Sequence, residues 1–199
     1  MGILPFVPSD CSAARAWDNI ELGIHDWTVR TGMLKTIAAD DLAALVSRAR
    51  QSERQRAHLN VHDSLDAPVQ RLFIAMEPET YIPPHRHSPA NKWEFLALIE
   101  GALDLLIFAN DGTLSQRTTL APDQVRAVEL PPGTWHGYVV REPGTVVLEV
   151  KEGPFTPTPE HDLAPWAPAE GNPQARAGWQ WMRDARPGDR FPSATDGAD

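Results

Sequence analysis

A chain of 199 residues, 42% of them hydrophobic, has the length and apolar content for one globular domain with extensions. Its formal net charge of −9, from 27 acidic against 18 basic residues, argues against a nonspecific nucleic-acid binder, whose affinity comes from neutralising phosphates. A single cysteine, Cys11, excludes an intrachain disulfide framework and a multi-thiolate zinc site, so any metal must be held by nitrogen and oxygen.

No stretch has the ~20 apolar residues that a spanning helix needs. The run FLALIEGALDLLIFA is broken by Glu100, Gly101 and Asp104, and the opening MGILPFVP lacks the basic start and the length of a signal peptide. The expected location is therefore the cytoplasm, with no membrane partner. Residues 1–32 show little periodicity and read as a weakly structured extension. From Met33 the pattern changes. In TIAADDLAALVSRARQ, Asp40 and Asp41 stand near the start, Leu42, Leu45 and Val46 follow at helical spacing, and Arg48 and Arg50 stand at the end. Acids first and bases last complement the helix dipole, so one short amphipathic helix is predicted here.

The period then shifts to two. Candidate strands are AHLNVH, VQRLFIAME, TYIPPHRH, KWEFLALIE, ALDLLIFA, LSQRTTL, VRAVELP, WHGYVV and TVVLEVK, separated by turns rich in Gly, Pro, Asn and Asp. Short strands closed by such turns, with no long helix between them, predict an all-β antiparallel sandwich or barrel over 33–153, helix included. After Gly153 the proline-rich PFTPTPEHDLAPWAPAEGNP cannot form a regular element. QARAGWQWMRDA is then expected to make a short helix, so that 154–183 packs on the barrel and 184–199 is a mobile tail.

The chemistry concentrates in PPHRHSPANKWE. If this stretch is extended, His85 and His87 share one face and are able to converge on one ion. Glu94 falls on the apolar face of the next strand, where a carboxylate is costly without a partner. His136, just beyond the turn PPG, repeats the setting of His85. Three imidazoles and one carboxylate suit a single divalent transition metal (Fe, Mn, Ni, Co or Zn) with open coordination positions. Trp135 points away from such a site and reads as packing.

These residues carry a family resemblance. His85, His87, Glu94 and Gly101 resemble the first motif of the cupin superfamily, and Pro131, Gly133 and His136 resemble its second. The chain departs from the pattern at Glu79 and Val125, where leading glycines are usual, and at Val140, where an asparagine closes the motif. Six residues, rather than three or four, separate His87 from Glu94. LNVH with PVQRLFIAMEP, PHRHS with KWE, PPGTWH, VVLEVKEGP and APWAPAEG are further similar to the WbuC-type group of cupin-fold metalloproteins, from about Met33 to about Trp181. The resemblance implies a cupin fold, a double-stranded β-helix with a jelly-roll-like antiparallel barrel, and a metal at its centre. It also implies a sugar-derived ligand, through the group's association with surface-polysaccharide gene clusters.

A second pattern lies in ERQRAHLNVH, where Arg54, Arg56, His58, Asn60 and His62 alternate with Gln55, Ala57, Leu59 and Val61. An extended segment would put the polar set on one face, either as a solvated edge strand or as an anion-binding wall beside the barrel mouth. Arg71 adds a planar donor for a carboxylate or phosphate. Lys92, Glu149 and Lys151 either line the cavity or form a structural ion pair at its end. The candidate substrate-binding residues are thus Arg56, His58, Asn60, Arg71, Lys92 and Lys151, and the candidate proton carriers are Glu149 and His62. Two functions fit. One is a metal-dependent enzyme acting on a small, oxygen-rich, anionic or sugar-derived substrate by isomerase, epimerase or dioxygenase chemistry. The other is a noncatalytic metal-containing binding protein for a carbohydrate or other small ligand. Trp93, Phe95, Ala97 and Ile99 form an apolar outer face that needs cover, either from the C-terminal segment or from a second subunit; a homodimer is expected.

Overall fold

The computed structural model describes residues 34–192, so the predicted extension at 1–32, Cys11 with it, and the last part of the predicted tail lie outside the described residues. The predicted helix forms as α1, Ala39–Gln51, with Asp40 and Asp41 in its first turn and Arg48 and Arg50 in its last. The Asp41 carboxylate accepts the Ala38 N–H at 2.8 Å, which satisfies one of the donors that every helix start leaves over.

Eight strands follow: β1 (Arg56–Asn60), β2 (Val69–Met76), β3 (Glu94–Glu100), β4 (Leu103–Phe108), β5 (Leu114–Leu120), β6 (Ala127–Leu130), β7 (Trp135–Val140) and β8 (Thr145–Glu152). They pair antiparallel in two sheets, one of five strands ordered β1-β2-β8-β3-β6 and one of three ordered β5-β4-β7. The result is the all-β, antiparallel two-sheet fold expected from the sequence. The ninth expected strand, TYIPPHRH, does not form; His85 makes only isolated bridges, to His136 on one side and Leu163 on the other. Pro83 and Pro84 have no N–H to give a ladder, which is why pairing starts only at His85.

Between the sheets lies the main core. Leu72, Ile74, Leu96, Leu98 and Val147 from the larger sheet meet Leu103, Leu105, Tyr138 and Val140 from the smaller. Alternation along each strand sends the other set outward, and two satellite cores cover it. Leu45 and Ala49 of α1 pack on Leu59, Ala75 and Val146, with Ile99 at the margin. Helix α2 (Ala175–Asp184) brings Trp179 and Met182 onto Leu106, Phe108, Leu114, Trp135 and Val139 of the smaller sheet. The C-terminal segment therefore covers the three-stranded sheet, while the only outer β3 residue in either satellite core is Ile99, beneath α1. Nor does the packed segment stop at residue 183, because Ala185 and Phe191 are both buried in the second satellite core.

Two turns require glycine. Gly101, between β3 and β4, has φ +76°, and a side chain there would run into Thr145; Gly133, in the PPG turn that presents His136, has φ +76°. Both angles are readily adopted only without a Cβ. A buried charge ties α2 to the smaller sheet. Asp104, wholly buried, accepts from Arg117 at 2.7 Å, Arg141 at 2.7 Å and Thr119 at 2.8 Å. Arg117 also donates to the carbonyls of Met182, Arg183 and Ala185, satisfying the end of α2.

Candidate metal centre

The irregular segment 84–87 runs between two backbone partners. His85 exchanges both main-chain hydrogen bonds with His136, at 2.9 and 2.8 Å, while Ala164 N–H donates to the Pro84 carbonyl and Arg86 N–H to the Asp162 carbonyl. On its other side, Gly133 N–H donates to the His87 carbonyl at 2.7 Å. This pairing lays the two histidine segments side by side. The ring centroids of His85 and His136 are 4.4 Å apart, those of His85 and His87 5.2 Å, and those of His87 and His136 5.8 Å.

Each of two rings is fixed by a carbonyl. His85 Nδ1 lies 3.0 Å from the Pro83 oxygen and His136 Nδ1 2.9 Å from the Thr134 oxygen. A carbonyl only accepts, so Nδ1 carries the hydrogen in both rings and Nε2 is left with its lone pair. Burial, before any neighbouring charge, pushes the pKa of His85 well below the usual imidazole value and lowers that of His136. Both rings are thus held in the neutral form that binds metals.

His85, His87 and His136 each offer a ring nitrogen, and these atoms all lie within 4.8 Å of one another. Glu94 borders the cluster, with Oε2 3.1 Å from His87 Nε2 and 3.5 Å from His136 Nε2. Its other oxygen accepts from the Tyr138 hydroxyl at 3.1 Å. Beyond these close approaches to one another, His87 Nε2, His136 Nε2 and Glu94 Oε2 are buried with no hydrogen-bond partner. Three orphaned groups converging on one point would cost about 1–3 kcal/mol each, and a cation between them would satisfy all three. The donor set fits a divalent transition metal.

The cluster opens on a cavity of about 150 Å³ inside the barrel. Register explains its lining. On the inner face of the larger sheet, Glu94 of β3 stands beside Lys151 of β8 and Gln70 of β2; in the next row Leu96 stands beside Glu149, Leu72 and Asn60. The alternating segment from Arg54 to His62 runs along this same cavity, with Arg56, His58, Asn60 and His62 all lining it. It is a wall of the cavity rather than a solvated edge. Arg54 and Arg56 both engage the Glu170 carboxylate, Arg56 at 2.7 and 2.8 Å. Desolvation lowers the pKa of Arg56 to about 10, and that of His58 to about 3, with Arg56 adding to the latter effect.

Glu149 is buried with its Oε1 2.5 Å from Lys151 Nζ. Burial and then the charge of Glu94 push the Glu149 carboxyl up to about 7. The other candidates lie elsewhere. Arg71 is exposed and lies on the opposite face of β2, since Gln70 and Leu72 take the inner one; only its main chain meets the site, through the His62 ring. Lys92 donates to the carbonyls of Glu152 and Pro154, each at 2.9 Å, and borders an outer hollow of about 350 Å³. Phe155, Pro157 and Thr158 line both spaces, and His87 and Lys151 also reach both. Trp135 points away from the cluster, with its Nε1–H on Asn110 and Arg86 over its ring at 4.5 Å.

Three contributors escaped the sequence reading. Tyr138 had a usable signal, because it follows His136 by two in the same strand and so shares its face. Asp162 and Glu170 had none, since Asp162, at the end of a 3-10 turn (Glu160–Asp162), and Glu170 both lie far along the chain from their arginine partners. Asp162 accepts from Arg86 Nε at 3.0 Å and from the main chain and hydroxyl of Ser88 at 3.0 and 2.9 Å.

A family model described as Domain of unknown function (DUF6016) matches residues 37–120. No curated protein matches the chain. Among solved structures, protein SO0799 from Shewanella oneidensis is similar at 17% identity over 76% of this chain and 99% of its own, with a TM-score of 0.49. KdgF from Halomonas sp. is similar at 20% identity over 51% of this chain and 80% of its own, TM-score 0.40. The Cupin_2 domain of an XRE family transcriptional regulator from Enterobacter cloacae is similar at 19% identity over 50% of this chain and 98% of its own, TM-score 0.39.

Proposed function

We propose that this protein is a metal-dependent enzyme that moves a proton on a small, oxygen-rich, sugar-derived substrate, in the manner of an isomerase or epimerase. The observation that carries the reading is the convergence of the buried His87 Nε2, His136 Nε2 and Glu94 Oε2 beside His85, next to a cavity that His85 and His87 line. His85, His87, His136 and Glu94 would hold one divalent ion of the Fe, Mn, Ni, Co or Zn series. When bound, the ion supplies Lewis acidity toward a substrate oxygen.

The rest of the chemistry belongs to side chains. Glu149, pushed up to about 7, is able both to take and to return a proton near neutral pH. Lys151 holds the Glu149 carboxylate in place through its ion pair. Leu72, Ile74, Leu96 and Val147 surround the reacting space with apolar surface and limit the water that reaches it. This placing of an acid–base group inside the cavity favours proton transfer over dioxygen chemistry. The motifs shared with the WbuC-type group support a substrate linked to surface polysaccharide. A homodimer that covers Trp93, Phe95 and Ala97 belongs to the same proposal, because Phe95 and Ala97 stand on the outer face of β3, Trp93 immediately precedes it, and none of them appears in a core cluster.

Elemental analysis of protein purified without chelator or histidine tag tests the centre. The expected result is near one equivalent of metal per chain in the parent and none in His85→Ala or His136→Ala. No metal in the parent, even after incubation with Fe(II), Mn(II), Ni(II) or Zn(II), overturns the proposal. Loaded protein is then mixed with candidate sugars and sugar nucleotides in D2O, where deuterium uptake at carbon, abolished by Glu149→Gln, is the expected signature. A loaded protein that binds these compounds without exchange or conversion is a binding protein instead.

A further inference from the structure

His62 lies two residues beyond the end of β1, where Val61 N–H still donates to the Arg71 carbonyl at 2.8 Å. The Arg71 N–H does not complete that pair; it donates to His62 Nδ1 at 3.1 Å. The Arg71 carbonyl, 3.0 Å from Nδ1, already accepts from Val61 N–H, whereas the Arg71 N–H has Nδ1 as its acceptor, which favours the tautomer with Nδ1 bare. The ring hydrogen is therefore on Nε2. That atom is buried and has no partner, and the residue, 8% exposed, lines the cavity.

The surroundings narrow what it is for. The inner row of the larger sheet runs Glu94, Lys151, Gln70 and, by continuation of the β1–β2 register, His62. Gln70 commits its amide N–H groups to the carbonyls of Leu65 and Ala67. Arg56, a further cation of this wall, is held by Glu170. Lys151 gives Glu149 one ammonium hydrogen and has two more to offer.

We infer that His62 Nε2–H and Lys151 Nζ form a subsite for the carboxylate of a small acid, over Gln70 in the row between them. One neutral N–H and one ammonium already shared with Glu149 match a single negative charge, not a phosphate dianion. Strands lie ~4.8 Å apart, so a carboxylate held over Gln70, two spacings from Glu94, lies about 10 Å from it along the row. The ligand carboxylate is thus separated by several atoms from the oxygens that face the histidines, which describes a polyhydroxy or keto acid. This deepens the proposed function and depends on it only for the end of the ligand that meets the metal.

The tautomer is read by long-range proton–nitrogen NMR on metal-free protein, where the expected state of His62 is Nε2–H; an Nδ1–H ring overturns the inference. Glycolate is then titrated into metal-free and Zn(II)-loaded protein. It is expected to shift His62 Nε2 saturably, whereas neutral glycolamide does not. His62→Asn keeps an acceptor for Arg71 N–H but removes the donor, and should weaken glycolate at least tenfold; His62→Gln, whose amide N–H reaches the Nε2 position, should stay within a few-fold of the parent. Glycolate binding equal in His62→Asn and parent, or inorganic phosphate binding more tightly than glycolate, overturns the subsite. Metal content separates the two readings. One equivalent of metal with no response at His62 sinks the subsite alone, and a response at His62 in protein that takes no metal sinks the metal centre alone.

Discussion

The two segments that supply the histidines reach the same place by different means. His136 sits on β7, a regular strand buried along its whole length between β4 and the barrel interior. His85 and His87 sit on a segment with no ladder of its own, held by single bridges and by the buried Asp162, which gathers Arg86 and Ser88. One ligand thus depends on the sheet, and two depend on a residue 76 positions away from Arg86 in the proline-rich C-terminal segment. The segment after the barrel, which supplies none of the clustered histidines, thus still shapes the candidate metal centre.

The difference is open to test. The largest effect is expected from Asp162→Ala, which should weaken metal binding by roughly 10–100-fold, as loss of a supporting shell commonly does, while the β-sheet circular dichroism is retained. Competition with a calibrated chelator measures it; unchanged affinity would mean that the bridges alone hold His85 and His87. Tyr138→Phe removes the hydrogen bond to Glu94 and should cost about 1 kcal/mol, or roughly fivefold in metal affinity, with a changed Co(II) absorption spectrum.

A third prediction concerns the neighbouring wall. His58 is held neutral, with its pKa lowered from 6.5 to about 3, so below pH 6.5 the unfolded chain takes up a proton that the folded chain refuses. Its contribution to stability is therefore complete above pH 6.5 and lost as pH falls toward 3. Denaturant unfolding of His58→Gln from pH 7 to 4 should show a shallower loss than the parent, and parallel curves would refute the assignment. The smallest effect is expected from Thr134→Ala. His136 is oriented by the Thr134 main-chain carbonyl, which the substitution keeps, so metal affinity should stay within about twofold.

Much of this was legible beforehand because the physics was local. Alternation fixed which residues of β2, β3 and β8 face inward, and the turn glycines marked where strands end. The same alternation placed His58, Asn60 and His62 on one wall, although it could not say whether that wall faced water. It failed for Lys92, which precedes the start of β3 at Glu94 and so is not bound by its alternation. It also failed for Arg71, whose position on the strand made it look like a donor to the site while its side chain faces outward.

By itself, then, the sequence determined the all-β barrel, the two histidine-bearing turns and the polarity of each strand face, since hydrophobic period, proline and glycine act over a few residues. Only the tertiary structure decided that Asp162 anchors His85 and His87, that Glu170 takes up Arg54 and Arg56, and that His62 is left with a buried Nε2 that has no hydrogen-bond partner. Those outcomes depend on which polar groups are brought within hydrogen-bond distance by segments far apart in the chain, and no local periodicity carries that information.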